Sequence, residues 1–112
     1  MKTVLTKLKK PRRPKLGQMI QATDRLERVQ RNTHGGVVKI WTRWGDVPAF
    51  RARPVQGVFM GYRTRSNGRI EYNREYTAWY PSDYFEVWLI VVNRRENPVL
   101  VLPADVADWP WL

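Results

Sequence analysis

Hydrophobic and polar residues alternate most regularly between Val37 and Trp44. Side chains two residues apart in a strand point to the same side, so an alternating pattern separates two faces. β-Branched and aromatic residues dominate this stretch, and Gly45-Asp46 follows it, so we predict a strand. One face is predicted to carry Val38, Ile40, Thr42 and Trp44, and the other to carry Val37, Lys39, Trp41 and Arg43.

Further strands are predicted in the second half of the chain. Asn67-Gly68 separates two β-rich runs, and an Asn-Gly pair is the strongest short-range signal for a two-residue hairpin turn, because both residues must adopt positive φ. Gly57 and Gly61 indicate a bulge or a sharp bend in the preceding strand. We therefore expect antiparallel strands at residues 57–65, 69–80, 85–92 and 98–102, followed by a 3₁₀ turn at 103–106.

The run from Phe85 to Val92 is apolar on both faces after Glu86. This pattern is typical of a strand at the centre of a sheet, where both faces are covered. Trp88 is accordingly predicted to lie in the core, and we place Trp44 there as well.

Residues 18–34 are compatible with two kinds of secondary structure. Met19, Ala22, Leu26 and Val29 have helix-like spacing, but the residues from Leu26 onward also alternate as in a strand. We favour a strand or irregular structure, ending in a turn at residues 34–36.

The order of these elements resembles that of SH3-like barrels: a long lead-in, three meander strands, a tight turn, and a last strand followed by Pro-Ala-Asp-Val. The runs 57–64 and 97–106 are also similar to small proteins of tailed phages and prophages. The resemblance implies a mainly β fold, a small SH3-like antiparallel barrel. We divide the chain into a basic, extended N-terminal arm (1–16) and a small β-barrel domain (17–112).

Positive charge is concentrated in the first half of the chain. Residues 1–56 contain 14 Lys and Arg against three acidic residues, whereas residues 57–112 contain six Arg against seven acidic residues. Residues 1–16 hold seven basic residues, two prolines and no acid, so like-charge repulsion favours an extended arm. The net charge of +10 favours a polyanionic partner such as DNA or RNA.

The composition also bounds the location and chemistry of the protein. The absence of cysteine excludes disulfides, thiol nucleophiles and thiolate metal sites. No apolar run approaches the roughly 18 residues of a transmembrane helix, and the N-terminus lacks the apolar core of a secretory signal. We expect no membrane association and a cytoplasmic location, which would be the host cytoplasm if the chain is phage-encoded.

Catalysis is not supported by the sequence. General acid–base chemistry needs a positioned histidine or paired carboxylates with separated pKa values. His34 is the only histidine and lies in a predicted turn, while Glu71 and Glu75 lie among arginines with which we expect them to pair across strands. We therefore predict that the protein is not an enzyme and has no cofactor and no metal site.

Nucleic-acid binding is the function that the sequence favours, with phosphate contacts dominating and limited sequence readout. Lys and Arg contact phosphates, and unpaired bases stack on aromatic rings. A charged, aromatic groove is expected if Trp41 and Arg43 face outward while Ile40 and Trp44 face inward; the arginines beside the predicted Asn-Gly turn form a second surface. The predicted contact residues are Lys7, Lys9, Lys10, Arg12, Arg13, Lys15, Lys39, Trp41, Arg43, Arg51, Arg53, Arg65 and Arg69.

The alternative is a protein-interaction module, such as a phage-encoded host-directed inhibitor or a virion component. Tyr, Trp and Arg are typical anchors of protein interfaces. A host or virion protein would then be bound through aromatic surface, supplied by Tyr72, Tyr76, Trp79, Tyr80 and Tyr84. The terminal Trp109-Pro110-Trp111-Leu112 is expected either to fold back and fill the barrel or to dock on another subunit.

Overall fold

The computed structural model describes residues 13–107, which form one antiparallel sheet and two short 3₁₀ turns. The predicted mainly β, antiparallel fold is thereby confirmed. The strands are β1 (Met19–Ala22), β2 (Leu26–Thr33), β3 (Gly36–Arg43), β4 (Val55–Tyr72), β5 (Thr77–Val91) and β6 (Val99–Val101), and the 3₁₀ turns are Trp44–Asp46 and Pro103–Asp105.

The strand order is β2-β3-β4-β5-β6, and β1 pairs with the first part of β4. Strand pairing within the described residues does not close this sheet into a barrel, because β2 and β6 lie at opposite ends of the order. The chain after the second 3₁₀ turn returns to β1 instead. There, Thr23 N–H donates to Asp105 O and Ala107 N–H donates to Gln21 O, both at 2.8 Å.

The core lies around the second half of β5. Trp88, Ile90, Val87 and Val101 are 0% exposed, and Phe59 packs edge-to-face on Trp88 with ring centroids 5.7 Å apart. Val87 and Trp88 are adjacent in a strand and therefore point to opposite faces. Their complete burial confirms that the second half of β5 is covered on both faces and that Trp88 belongs to the core.

The prediction that Trp44 belongs to the core is wrong. Trp44 is half-buried and lies in the 3₁₀ turn that follows β3, so the alternation of that strand no longer sets its direction. Its ring packs edge-to-face with Phe50, with centroids 5.2 Å apart.

The prediction of a hairpin turn at Asn67-Gly68 is also wrong. β4 continues through these residues, and its turn to β5 lies at residues 73–76, so two long strands replace the three predicted at 57–65, 69–80 and 85–92. Gly68 is buried, and a Cβ on it would lie 2.6 Å from both Trp79 Cη2 and Tyr80 O. Glycine is needed here for the close packing of β5 rather than for a turn.

Two irregularities interrupt the β4–β5 ladder. Met60 is an extra residue between the pairs formed by Phe59 and Gly61, and Gly61 has φ +133°. The predicted bulge near Gly61 is therefore confirmed. A second irregularity falls at Asn67, where Ser82 is the extra residue on the β5 side.

Most predictions of secondary structure in the first half of the chain are confirmed. Residues 18–34 form strands β1 and β2 rather than a helix, and His34-Gly35 makes the turn to β3. β3 matches the predicted strand closely. Pro48 and Pro54 indicate a loop or an edge strand between them, because proline is confined to such places, and residues 47–54 form a loop. The short strand β6 and the 3₁₀ turn after it are confirmed as well.

Candidate nucleic-acid interface

The loop at residues 47–54 is held in place by the buried carboxylate of Asp24, which is 5% exposed. Asp24 Oδ1 accepts hydrogen bonds from the backbone N–H groups of Arg25 at 2.8 Å and Arg53 at 2.9 Å, and Oδ2 accepts one from Gly45 at 2.8 Å. Three chain segments therefore meet at one side chain. Burial raises the pKa of Asp24, but the backbone N–H donors together outweigh this effect and hold it below its usual value.

Arg53 stacks on the ring of Trp44, with its guanidinium carbon 3.9 Å from the ring centroid. The planar guanidinium keeps its N–H groups available at its edge when its face rests on a ring. Phe50, which packs against the same indole, is exposed. Trp44 thus supports one cation and one aromatic side chain at the surface.

Arg25, which lies between β1 and β2, also contacts this loop. Its Nε donates to Arg53 O at 3.1 Å, and its Nη2 donates to Pro54 O at 2.9 Å. We call Arg25, Arg51 and Arg53 the loop arginine cluster. None of the three guanidinium groups has a carboxylate within ion-pairing distance among residues 13–107.

Arg43 lies close to this cluster but is already neutralised. Its Nε lies 2.7 Å from Asp105 Oδ2, and its Nη1 lies 3.7 Å from Asp46 Oδ2. The hydrogen bond to Asp105 raises the pKa of Arg43. This side chain connects the end of β3 to the second 3₁₀ turn.

Lys39 and Trp41 lie on the face of β3 whose register partners on β2 are Gln30 and Arg28. Both side chains are half-buried, and the Arg28 guanidinium carbon lies 5.8 Å from the Trp41 ring centroid. Ile40, on the other face, is the exposed residue. The arrangement expected for the groove, with Trp41 outward and Ile40 inward, is therefore not formed.

Arg65 and Arg69 are placed along β4, away from the loop. Arg65 Nη1 donates to the carbonyl of Thr64 at 3.2 Å. Arg69 Nε lies 2.6 Å from Glu71 Oε2, and its guanidinium carbon lies 4.9 Å from the Tyr80 ring centroid. Glu71 thus pairs with an arginine of its own strand rather than across strands as expected, and Glu75 has no ion pair among the described residues.

Arg13 is bound to the sheet. Its Nη2 lies 2.6 Å from Glu86 Oε1, its Nε donates to Glu86 Oε2 at 3.1 Å, and its guanidinium carbon lies 3.6 Å from the Tyr62 ring centroid. This pairing raises the pKa of Arg13 and lowers that of Glu86. Lys15 is exposed. The other predicted contact residues of the arm, Lys7, Lys9, Lys10 and Arg12, lie outside the described residues.

Sequence reasoning missed Arg25 and Phe50. Phe50 lies between Pro48 and Pro54, and a single apolar residue in such a loop gives no sign of a binding role, because many are simply exposed. Arg25 owes its position to Asp24, which binds the backbone of two segments distant in sequence. The short polar turn Thr23-Asp24 between two apolar runs was the one available signal, since Asp is a turn former.

Exposed aromatic side chains are frequent at the end of β4, in the turn to β5 and in the first half of β5; they are Tyr72, Tyr76, Trp79, Tyr80 and Tyr84. Trp79 and Tyr80 are adjacent in β5 and therefore point to opposite faces of the sheet. Arg74 lies in the same turn.

Within residues 13–107, no group of three or more His, Asp or Glu side chains is placed to hold a metal ion. The same residues contain no helix long and apolar enough to cross a membrane. Comparison with protein-family models, curated proteins and solved structures finds no match to this chain.

Proposed function

We propose that this chain is a non-catalytic nucleic-acid-binding protein that contacts phosphates mainly through the loop arginine cluster, with limited sequence readout. One observation carries the proposal: Arg25 and Arg53 are held against one loop that also carries the exposed Arg51, and none of the three has a carboxylate partner among the described residues. Arginine forks match phosphate geometry, and a pre-organised fork loses less entropy on binding. The exposed ring of Phe50 adds a surface on which an unpaired base can stack.

The fold that accompanies this function is, in our interpretation, an SH3-like barrel. The return of residues 105–107 to the free edge of β1 supports it, because this contact links the end of the β5–β6 segment back to the start of the sheet. Small barrels of this kind leave their loops free to vary and to carry binding residues.

The test compares two double variants with the same change in charge. Arg51→Gln with Arg53→Gln removes two charges from the loop arginine cluster. Arg94→Gln with Arg95→Gln removes two charges from the turn between β5 and β6, where neither arginine has a carboxylate partner among the described residues. Binding is measured by fluorescence anisotropy with labelled single-stranded DNA, duplex DNA and RNA over a range of salt concentrations.

We expect the loop variant to bind more weakly. Its plot of log affinity against log salt should have a slope smaller by about two, because each lost phosphate contact releases about one counterion fewer. The control variant should keep the slope of the unmodified chain. Equal losses in both variants would assign binding to overall charge rather than to the loop. Failure of the unmodified chain to bind any of the three polymers at low salt would overturn the function itself.

A protein-interaction module is the second candidate, favoured by the five exposed aromatic side chains of the β4–β5 hairpin. Exposed Tyr and Trp are typical anchors for a protein partner. A complex formed through these side chains would tolerate high salt, unlike one formed through phosphates, and would not depend on the loop arginine cluster.

A further inference from the structure

β2 has one edge with no partner strand among the described residues. It lies at the end of the strand order and pairs with β3 alone, and every residue after Leu26 is exposed. Such an edge presents a row of N–H and C=O groups that another strand can bind. In the single chain the Arg28 N–H donates to Glu27 Oε1 at 3.0 Å, a local hydrogen bond that pairing of Glu27 with another chain would replace. Proteins often block edges with proline or a bulge, but β2 contains no proline and its register with β3 is unbroken.

The side chains of β2 alternate between two kinds of surface. Glu27, Val29 and Arg31 share a face, since their register partners on β3 are Thr42, Ile40 and Val38. Val29 is 40% exposed and Ile40 is 41% exposed, which leaves adjacent apolar side chains uncovered. This face therefore has an apolar centre with an acid on one side of it and an arginine on the other.

This pattern is self-complementary about a two-fold axis at Val29. Antiparallel pairing with a second copy then sets Val29 against Val29, and sets Glu27 of each copy against Arg31 of the other. The two neighbouring registers that also keep equivalent faces together give less favourable pairs. A two-fold axis at Arg28 sets Arg28 of one copy against Arg28 of the other, and an axis at Gln30 sets Val29 of one copy against Arg31 of the other. Opposite charges facing each other across strands stabilise a sheet, and like charges destabilise it.

We propose that the free edge of β2 binds a second copy of this chain, in an antiparallel register with the two-fold axis at Val29. The sheet would then continue through both copies, and Ile40 and Val29 of each would form one apolar stripe across four strands. Isologous contacts of this kind are the commonest basis of homodimers.

The first test exchanges the charges. Glu27→Arg places a second arginine opposite Arg31, and Arg31→Glu places a second glutamate opposite Glu27, so each single variant should be monomeric by sedimentation equilibrium. Glu27→Arg raises the net charge of the chain and Arg31→Glu lowers it. If both variants lose the dimer, overall charge repulsion cannot be the cause, and the facing charge pairs must be. Mixing the two variants should restore a dimer, and so should the double variant E27R/R31E, because both restore opposite charges at every facing pair.

The second test fixes the register. The natural chain has no cysteine, so Val29→Cys introduces a single thiol. Facing residues of antiparallel strands have Cα atoms about 4.5–5.5 Å apart, within the range of a disulfide. Oxidation should therefore convert V29C to a covalent dimer. Thr33→Cys is the control, since its two copies would lie about 26 Å apart at the ends of the strands.

Circular dichroism of each variant confirms that it is folded before association is compared. An unmodified chain that sediments as a monomer at about 1 mM would overturn the proposal. So would a dimer that survives both single charge changes, because it would use another surface, such as the aromatic side chains of β5. Nucleic-acid binding is measured separately, so a monomer that still binds DNA would contradict the dimer alone.

Discussion

The positions of Arg25 and Arg53 depend on one residue, Asp24, whose carboxylate binds the backbone of both. Its two oxygens accept backbone N–H groups from the β1–β2 turn, the first 3₁₀ turn and the loop before β4. A neutral amide at this position would direct an NH₂ group at one of these donors. A buried donor left without an acceptor costs about 1–3 kcal/mol.

Asp24→Asn should therefore lower the free energy of unfolding by about 1–3 kcal/mol at pH 7, measured by urea denaturation. Because the pKa of Asp24 is lowered in the folded chain, its stabilisation is present above the unfolded pKa and is lost as the pH falls through the folded value. The unmodified chain should lose stability on acidification below about pH 4, and D24N should show a smaller loss.

Glu96→Gln is the control, because Glu96 is an exposed carboxylate with no ion pair among the described residues. It should leave both the stability at pH 7 and its pH dependence nearly unchanged. A D24N variant as stable as this control would show that the carboxylate does not anchor the loop.

At the scale of elements, the long β4–β5 hairpin shows where local sequence signals fail. The Asn-Gly pair at 67–68 indicated a turn, yet the side chain of Asn67 accepts the backbone N–H of Trp41 at 2.7 Å, at the point where the β3–β4 pairing ends. The real turn relies on Asn73, whose Oδ1 accepts the N–H groups of Glu75 and Tyr76 at 2.8 and 2.9 Å. Which asparagine makes the turn is decided by β3, a strand distant in sequence.

A two-residue Gly-Ser insertion distinguishes the two turn positions. Between Arg74 and Glu75 it should cost about 1 kcal/mol or less, because lengthening an exposed turn adds little loop entropy. Between Asn67 and Gly68 it should abolish the cooperative unfolding transition, because it breaks the pairing of β4 with both of its neighbours. The stability of both insertion variants is measured by thermal denaturation followed by circular dichroism. If the insertion at Asn67-Gly68 were the less damaging of the two, the turn would lie at Asn67-Gly68.

Elements defined by alternation or by proline were predictable from the sequence. β3 and the buried second half of β5 followed from their patterns of apolar residues, and the exposed Arg51 and Arg53 followed from the prolines that flank their loop. The association of Arg53 with Arg25 and Trp44 was not predictable, because it depends on how Asp24 brings three segments together. The binding role of these residues stays a prediction.

At the scale of the whole molecule, charge is expected to control the strength of binding. If about six phosphate contacts form, affinity should fall roughly 10³-fold between 50 and 200 mM salt. Replacing Lys2, Lys7, Lys9, Lys10 and Arg12 by Gln should flatten this dependence while keeping the length of the arm. Arg13 is left intact, because it pairs with Glu86.

The measurement is the salt dependence of fluorescence anisotropy with duplex DNA. Replacing the uncharged residues of the same segment, Thr3 and Thr6, by Gln provides the control and should have no effect. An unchanged salt slope after loss of the five charges would contradict a contribution of the arm to binding.

The ion pair between Arg13 and Glu86 has a consequence for the twelve residues that precede it. It fixes the position of Arg13 on the sheet, and twelve residues span at most about 43 Å. The described body measures 48 × 43 × 27 Å, so this reach does not exceed the longest dimension of the body. If these residues bind a polyanion as proposed, that polymer would be held at high effective concentration beside the sheet, and its second contact would be an intramolecular event.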